Sequence, residues 1–236
     1  MISFFDDKTS PWMEDLPYEW HEVYSLGQTI PYKKHEAIFH QDQAAKHVYV
    51  VLLGRIRLFL TTPSGEEKAI AIIGKSGLLG ECGLLGECGL FDHPTYNNGA
   101  ITASKATLLK IPVERFKEAF STNLTLAHQV LRFLDGKNRI LASHTMQLSF
   151  YSAAQRICFT LLQLGSTYGK GIEGKRIITV RFTHQELANV VGTSRVTVAG
   201  TMKELERRHI LSKDGGLYVI EDEEMLYRSV LDGLSM

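Results

Sequence analysis

The chain has 236 residues, 44% of them hydrophobic and 22% charged, and 26 Lys plus Arg balance 26 Asp plus Glu. That balance excludes a disordered chain, a collagen and a disulfide-rich miniprotein, while the length allows one large domain or two modest ones. No apolar run approaches the roughly 18 residues of a membrane span. The acidic start MISFFDDKTSPWMEDLPYEW lacks the basic-then-apolar order of a signal peptide. Three cysteines, Cys82, Cys88 and Cys158, fit a reducing compartment, so a cytoplasmic protein is expected.

Residues 28–113 predict strands. QTIPYKKHEAIFHQ, HVYVVLLGRIRLFLTT, EEKAIAIIG and GAITASKATLLKIP are rich in β-branched and aromatic residues, and Gly and Pro turns separate them. Thr62-Pro63-Ser64-Gly65 predicts a hairpin turn. Strands at this spacing imply a β-roll or sandwich. From 114 to 149 the only Gly is Gly136 and there is no Pro, which predicts one long helix. Val130, Leu134, Lys137, Leu141, His144 and Leu148 recur at spacings of four and three. That is close to a heptad seam and implies pairing with a second copy. A second helix is predicted over 150–165, a loop over GSTYGKGIEGK and a strand over RIITVRF.

The C-terminal stretch carries the most specific signal. Thr183 is followed by Glu186 three residues later, the spacing of a capping box, and opens a short helix that Gly192 ends. Thr193 or Ser194 then caps SRVTVAGTMKELERRHIL. Two helices joined by a tight Gly turn form a helix-turn-helix, with Leu187, Val190, Val191, Val198, Met202 and Leu205 expected between them. KDGGLYVI predicts a hairpin wing. Residues 150–220 hold ten Lys or Arg against five Asp or Glu, a basic balance that attracts phosphates. The second helix would read base edges in the major groove through Arg195, Val196 and Thr197. Thr183, Gln185, Thr193, Ser194 and Lys203 would hold phosphates. The predicted class is α+β, with a β-roll over 1–113, a dimerisation helix over 114–149 and a winged helix-turn-helix over 150–236. No catalytic set is visible, and too few residues remain for a catalytic domain beside a regulatory β-roll.

VYVVLLGRIRLFL, GLLGECGLF and FTHQELANVVGTSRVTVAGTMKELERRHIL, in this order over residues 20–225, resemble the Crp/Fnr family of bacterial transcription regulators. The resemblance implies a homodimer, a palindromic DNA operator, contact with RNA polymerase and a small-molecule effector pocket between the β-roll and the long helix. One departure is a tandem repeat: Gly77-Leu78-Leu79-Gly80-Glu81-Cys82 recurs at once as Gly83-Leu84-Leu85-Gly86-Glu87-Cys88. The family has one Gly-Glu here. Because the second copy runs on into Gly89-Leu90-Phe91, Gly86 and Glu87 are taken as the matching pair and the first copy as an inserted loop. The alternative is a duplication foreign to the natural chain.

Cyclic-nucleotide-binding members of the family follow this Gly-Glu with an Arg-Ser pair that takes the cyclic phosphate. The matching residues here are Asn97 and Asn98, and no Arg lies between 58 and 114. A cyclic phosphate would lack its charge-assisted partner. No cofactor and no metal are expected. An iron–sulfur cluster needs four thiolates; Cys82, Cys88, His93 and His144 lack a haem-ligand spacing; His35, His40 and His47 lack a metal-site spacing. Within the family, Phe120–Arg156 is similar to the halorespiration regulators that sense halogenated phenols. That group has a Lys at the place of Lys137, Asn-Asn at Asn97–Asn98, and the run Val196-Thr197-Val198. It differs in carrying an Arg where Gly200 stands and Gly-Lys where this chain has Gly-Glu. The resemblance implies a halogenated aromatic effector held by Gly86, Glu87, Asn97, Asn98, Leu134 and Lys137. The alternative effectors are haem, a redox signal or a cyclic nucleotide, and a further alternative is no effector at all.

Overall fold

A computed structural model describes residues 9–14, 16–81, 95–172 and 174–232. Cys82, Gly86, Glu87, Cys88 and His93 lie outside the described residues. The chain forms two compact units, Pro11–Asn138 and the stretch from Arg139 onward with Thr9 and Ser10.

The first unit is a β-sandwich. In chain order its strands are β1 (Trp12–Met13), β2 (Gln28–Tyr32), β3 (Ala37–Phe39), β4 (His47–Leu53), β5 (Ile56–Thr61), β6 (Glu67–Ile73), β7 (Leu78–Leu79), β8 (Gly99–Thr102) and β9 (Ala106–Pro112). One sheet has the order β1-β6-β5-β8-β3 and the other β2-β9-β4-β7. Alternating apolar residues put Phe39, Val48, Val50, Leu58, Ala71, Ile73, Leu108 and Ile111 in the core. Trp20 is fully buried, with its indole N–H donated to the Ser76 carbonyl at 2.8 Å, so its polar edge is satisfied. The turn at Thr62–Gly65 is closed by the Gly65 N–H on the Thr62 carbonyl at 2.9 Å.

Two strands went unpredicted, and both are short. β1 pairs parallel to the end of β6, and β7 pairs with Tyr49–Val50 of β4. β7 lies in the first hexapeptide, and Leu78 and Leu79 are fully buried. The first copy is therefore built into the sheet and is not an inserted loop.

The long helix is two. α1 (Val113–Thr122) and α2 (Leu124–Phe150) are separated by Asn123, whose backbone is extended. Asn123 Oδ1 accepts from the Leu126 N–H at 2.9 Å, so the side chain restarts the helix as a cap. Along α2 the faces also differ from expectation. Leu126, Val130, Phe133 and Ile140 are buried within the chain, and Lys137 shares that face with only 12% of its side chain exposed. The apolar stripe beside it has Leu131, Leu141 and Leu148 exposed and Leu134 half-buried. Val130 and Lys137 thus leave the predicted seam, and Leu131 enters it.

The second unit begins with α3 (Ala153–Tyr168), capped by Ser152 and Gln155 in a capping box. The predicted loop after residue 165 is instead the last turn of α3 followed by β10 (Gly169–Ile172), which pairs antiparallel with β11 (Lys175–Ile178). Gly174, in the left-handed region, makes the turn. Then come α4 (His184–Val191), α5 (Arg195–Arg207), β12 (Leu211–Asp214), β13 (Leu217–Ile220) and α6 (Glu223–Leu231). The sheet order is β10-β11-β13-β12. Gly215 and Gly216 both have positive φ, as a two-residue hairpin loop prefers. Cys158 is buried on α3, and burial pushes its thiol up to about 12, which makes it an unreactive packing residue.

Candidate nucleic-acid interface and effector site

The helix-turn-helix is built by three local devices. Thr183 Oγ1 accepts from the Glu186 N–H at 3.1 Å, and the Glu186 carboxylate accepts from the Thr183 N–H at 2.7 Å. This reciprocal box satisfies the first donors of α4. Gly192 ends the helix at φ +74°, and its N–H and that of Thr193 both donate to the Ala188 carbonyl. Ser194 is the cap of α5, accepting from the Thr197 N–H at 3.0 Å. All six residues expected between the helices are buried.

A fourth device was not legible in the sequence. Arg156 on α3 donates from Nε to the Val191 carbonyl (3.2 Å), from Nη2 to Gly192 (3.1 Å) and from Nη1 to Tyr151 (2.8 Å). One guanidinium thus satisfies the carbonyls at the turn, where a helix end leaves acceptors unpaired. No spacing rule links positions 156 and 191.

The exposed side of α5 carries Arg195, Val196, Ala199, Gly200 and Lys203. Val196 is 81% exposed, an apolar branched side chain standing free near a helix N-terminus. Arg207 and Arg208 are otherwise engaged. Arg207 makes a two-pronged bond with Glu204 at 2.8 and 2.7 Å, and Arg208 joins at 2.5 Å. These two cations hold the Glu204 carboxyl down to about 2. Among the predicted phosphate contacts, the Thr183 hydroxyl faces Glu186, and Gln185 donates to Asn189 at 2.8 Å. Lys203 is exposed and Thr193 half-buried. Gly200 has nothing within 4 Å of where a Cβ would stand. Gly200→Ala is therefore expected to stabilise this unit by about 1 kcal/mol, seen as a higher midpoint in calorimetry.

In the first unit the predicted effector residues separate. Lys137 Nζ forms an ion pair with the carboxylate of Glu81, which is 1% exposed, and lies 5.9 Å from the Phe133 ring centre. Among the described residues the lysine's acidic partner is thus Glu81 of the first copy, whereas the sequence reading took Gly86 and Glu87 as the matching pair. The signal that would have found it is the lysine itself, since a buried ammonium requires a nearby acid. Gly80 has φ +75°, and a Cβ there would stand 2.8 Å from the His47 carbonyl and 3.0 Å from the Tyr96 ring. Tyr96 stacks on Phe39 at 3.9 Å, and its hydroxyl donates to the His47 carbonyl at 2.8 Å. Beyond Tyr96, Asn98 is buried and donates to Asn97 Oδ1 at 2.6 Å. Asn98 Oδ1 is buried with no hydrogen-bond partner among the described residues. Leu134 is half-buried, one turn of α2 before Lys137.

Comparisons with known proteins agree with this division. Residues 29–123 match the cyclic nucleotide-binding domain and residues 155–229 the Crp-like helix-turn-helix domain. The chain is 28% identical over 220 residues to the cyclic AMP receptor protein of Thermus thermophilus, covering 93% of this chain and 96% of the relative. A CooA mutant from Carboxydothermus hydrogenoformans shares the fold with a TM-score of 0.75 at 16% identity, over 90% of this chain and 92% of that one. CprK, solved in complex with OCPA, gives 0.71 at 19% identity, over 93% and 97%. Among the described residues no helix is long and apolar enough to cross a membrane.

Proposed function

We propose that this chain, which belongs to the Crp/Fnr family of DNA-binding transcription regulators, acts as a homodimer on a palindromic operator and is switched by a small aromatic acid bound in its N-terminal unit. It is a regulator and not an enzyme. The observation that carries the reading is the bare face of α5, where Arg195 and Val196 stand exposed immediately before Thr197. Arg195 has the fork to pair with guanine, and Val196 the methyls to meet thymine. Arg195→Ala is expected to weaken binding to an operator recovered by in vitro selection by about 5- to 100-fold, measured by anisotropy. Thr183, Gln185, Thr193, Ser194 and Lys203 complete the proposed contacts along the phosphates.

The stripe of Leu131, Leu134, Leu141 and Leu148 supports pairing of α2 with its copy. Two recognition helices would then meet DNA about 34 Å apart, one helical turn. RNA polymerase is the further partner in this reading.

For the effector we favour a halogenated phenol. A plain phenol ionises near pH 10, as tyrosine does, and halogens lower that value. The resulting anion would take Lys137 from Glu81, whereas a neutral dehalogenated product would not. In this reading Gly80 and Glu81 take the place first given to Gly86 and Glu87. A thermal-shift panel tests it: at about 100 times its dissociation constant a ligand adds about 2.7 kcal/mol. Halogenated phenols should raise the melting temperature and plain phenol should not. A shift with cyclic AMP instead would favour a cyclic nucleotide, the reading that the domain match suggests.

A further inference from the structure

The wing and the start of α4 carry a cluster that the reading face of α5 does not use. His184, the first residue of α4, shares a hydrogen bond of 2.9 Å between Nε2 and the Tyr218 hydroxyl on β13. Phe182 stacks on the other side of the Tyr218 ring at 5.2 Å, which fixes the ring. Lys213, paired with Tyr218 across the wing, holds its ammonium 4.6 Å over that ring. Arg181 donates to the Gly215 carbonyl at the wing tip at 3.0 Å. The charges of Arg195 and of the acid Glu206, both on α5, also act on the imidazole. Arg181, Lys213 and Arg195 are exposed, and none is ion-paired with a carboxylate among the described residues. Two cations and one acid therefore act on a half-buried imidazole hydrogen-bonded to the Tyr218 hydroxyl, and Arg181 adds a third cation at the wing tip. The excess positive charge sits where an anion with several acceptor oxygens would be neutralised.

We propose that His184, Tyr218 and Lys213 form a DNA phosphate site in which binding takes up one proton per protomer on His184. This rests on the DNA-binding function of the module. The hydrogen bond explains the coupling. In the neutral tautomer that carries its proton on Nδ1, Nε2 accepts and the Tyr218 hydroxyl donates, so that hydroxyl has no proton for a phosphate. Once the ring is protonated, Nε2–H donates to the tyrosine oxygen instead. The hydroxyl proton turns outward to a phosphate oxygen, and the imidazolium adds its charge.

Burial and the nearby Lys213 and Arg195 hold the free histidine below its usual 6.5, with Glu206 opposing them weakly. A phosphate alongside reverses the balance of charge and raises it. The sign follows. The gain in affinity is fully present below the pKa of the free protein and is lost as pH rises through the pKa of the complex. A salt-dependent phosphate contact thereby becomes dependent on pH as well.

The test uses the full-length chain and a rhodamine-labelled duplex of mixed sequence, about 30 base pairs, titrated by anisotropy at constant ionic strength. For the native chain the dissociation constant should fall as pH drops from about 8 to about 6, by up to about tenfold per unit for each protomer bound. His184→Gln should flatten this to less than about twofold. His184→Lys should bind at pH 8 about as tightly as the native chain at pH 6. Far-UV circular dichroism confirms that each variant is folded. An unchanged slope in folded His184→Gln overturns the proposal. A native chain that binds no duplex at any pH overturns the DNA-binding premise, and the proposal with it.

Discussion

Lys137→Met should lower the stability of the N-terminal unit by about 3–5 kcal/mol, although the substituted side chain is close in length and apolar. The loss comes from what remains. Glu81 is 1% exposed and faces the Lys137 ammonium, and removing that cation strands a buried carboxylate. Lys137→Met with Glu81→Leu should recover most of the loss, because the pair repays little more than its own desolvation. Urea unfolding followed by tryptophan fluorescence suits the measurement, since Trp12 and Trp20, the only two tryptophans, both lie in this unit. A double variant as unstable as the single would mean the energy lies in packing of the lysine stem and not in the charge. The same series bears on the effector. An anion that captures Lys137 has to leave Glu81 solvated or protonated, so its affinity should rise when Glu81 is replaced by Gln.

Gly54→Ala is expected to cost about 2–5 kcal/mol. Gly54 has φ +87°, where an L side chain loses about 1–2 kcal/mol. A Cβ there would also stand 2.4 Å from the Lys105 carbonyl oxygen and 2.7 Å from the Ala106 Cα. Both obstacles are backbone, so the strands themselves must part, which adds about 1–3 kcal/mol. Gly65 provides the control. Its φ is +86°, yet nothing lies within 4 Å of its Cβ position. Gly65→Ala should therefore cost only the conformational part, about 1–2 kcal/mol, and the difference between the two measures the crowding at Gly54.

How much of this was legible depended on whether the determining interaction was local. The strands over 28–113 and the helix-turn-helix follow from alternation, capping boxes and glycine turns, all of which act within a few residues. Thr183 with Glu186, and Gly192 with Ala188, are contacts of that kind. What sequence reading misplaced depends on contacts across the chain. The face of α2 is one case. Val130, Leu134 and Lys137 satisfy a heptad as well as Leu131, Leu134 and Leu141 do, and only the sandwich decides which set it buries. The tandem repeat is another. Two identical hexapeptides have identical local preferences, and pairing of Leu78–Leu79 with Tyr49–Val50 puts the first in the sheet. Asn123 breaks the long helix without Gly or Pro, because its side chain serves better as a cap than as a helical residue. The cluster of His184, Lys213 and Tyr218 draws on two elements separated by a whole recognition helix.

The three bonds of Arg156 have a mechanical consequence. A guanidinium that grips the carbonyls of Val191, Gly192 and Tyr151 welds the turn of the DNA-reading motif to the start of α3. That junction is held at three carbonyls at once, so bending it would break several charge-assisted bonds together. The motif is consequently tied to α3 as one piece, and the same guanidinium reaches back over the break between α2 and α3 to Tyr151, so the reading head is braced on its approach side as well as at its turn.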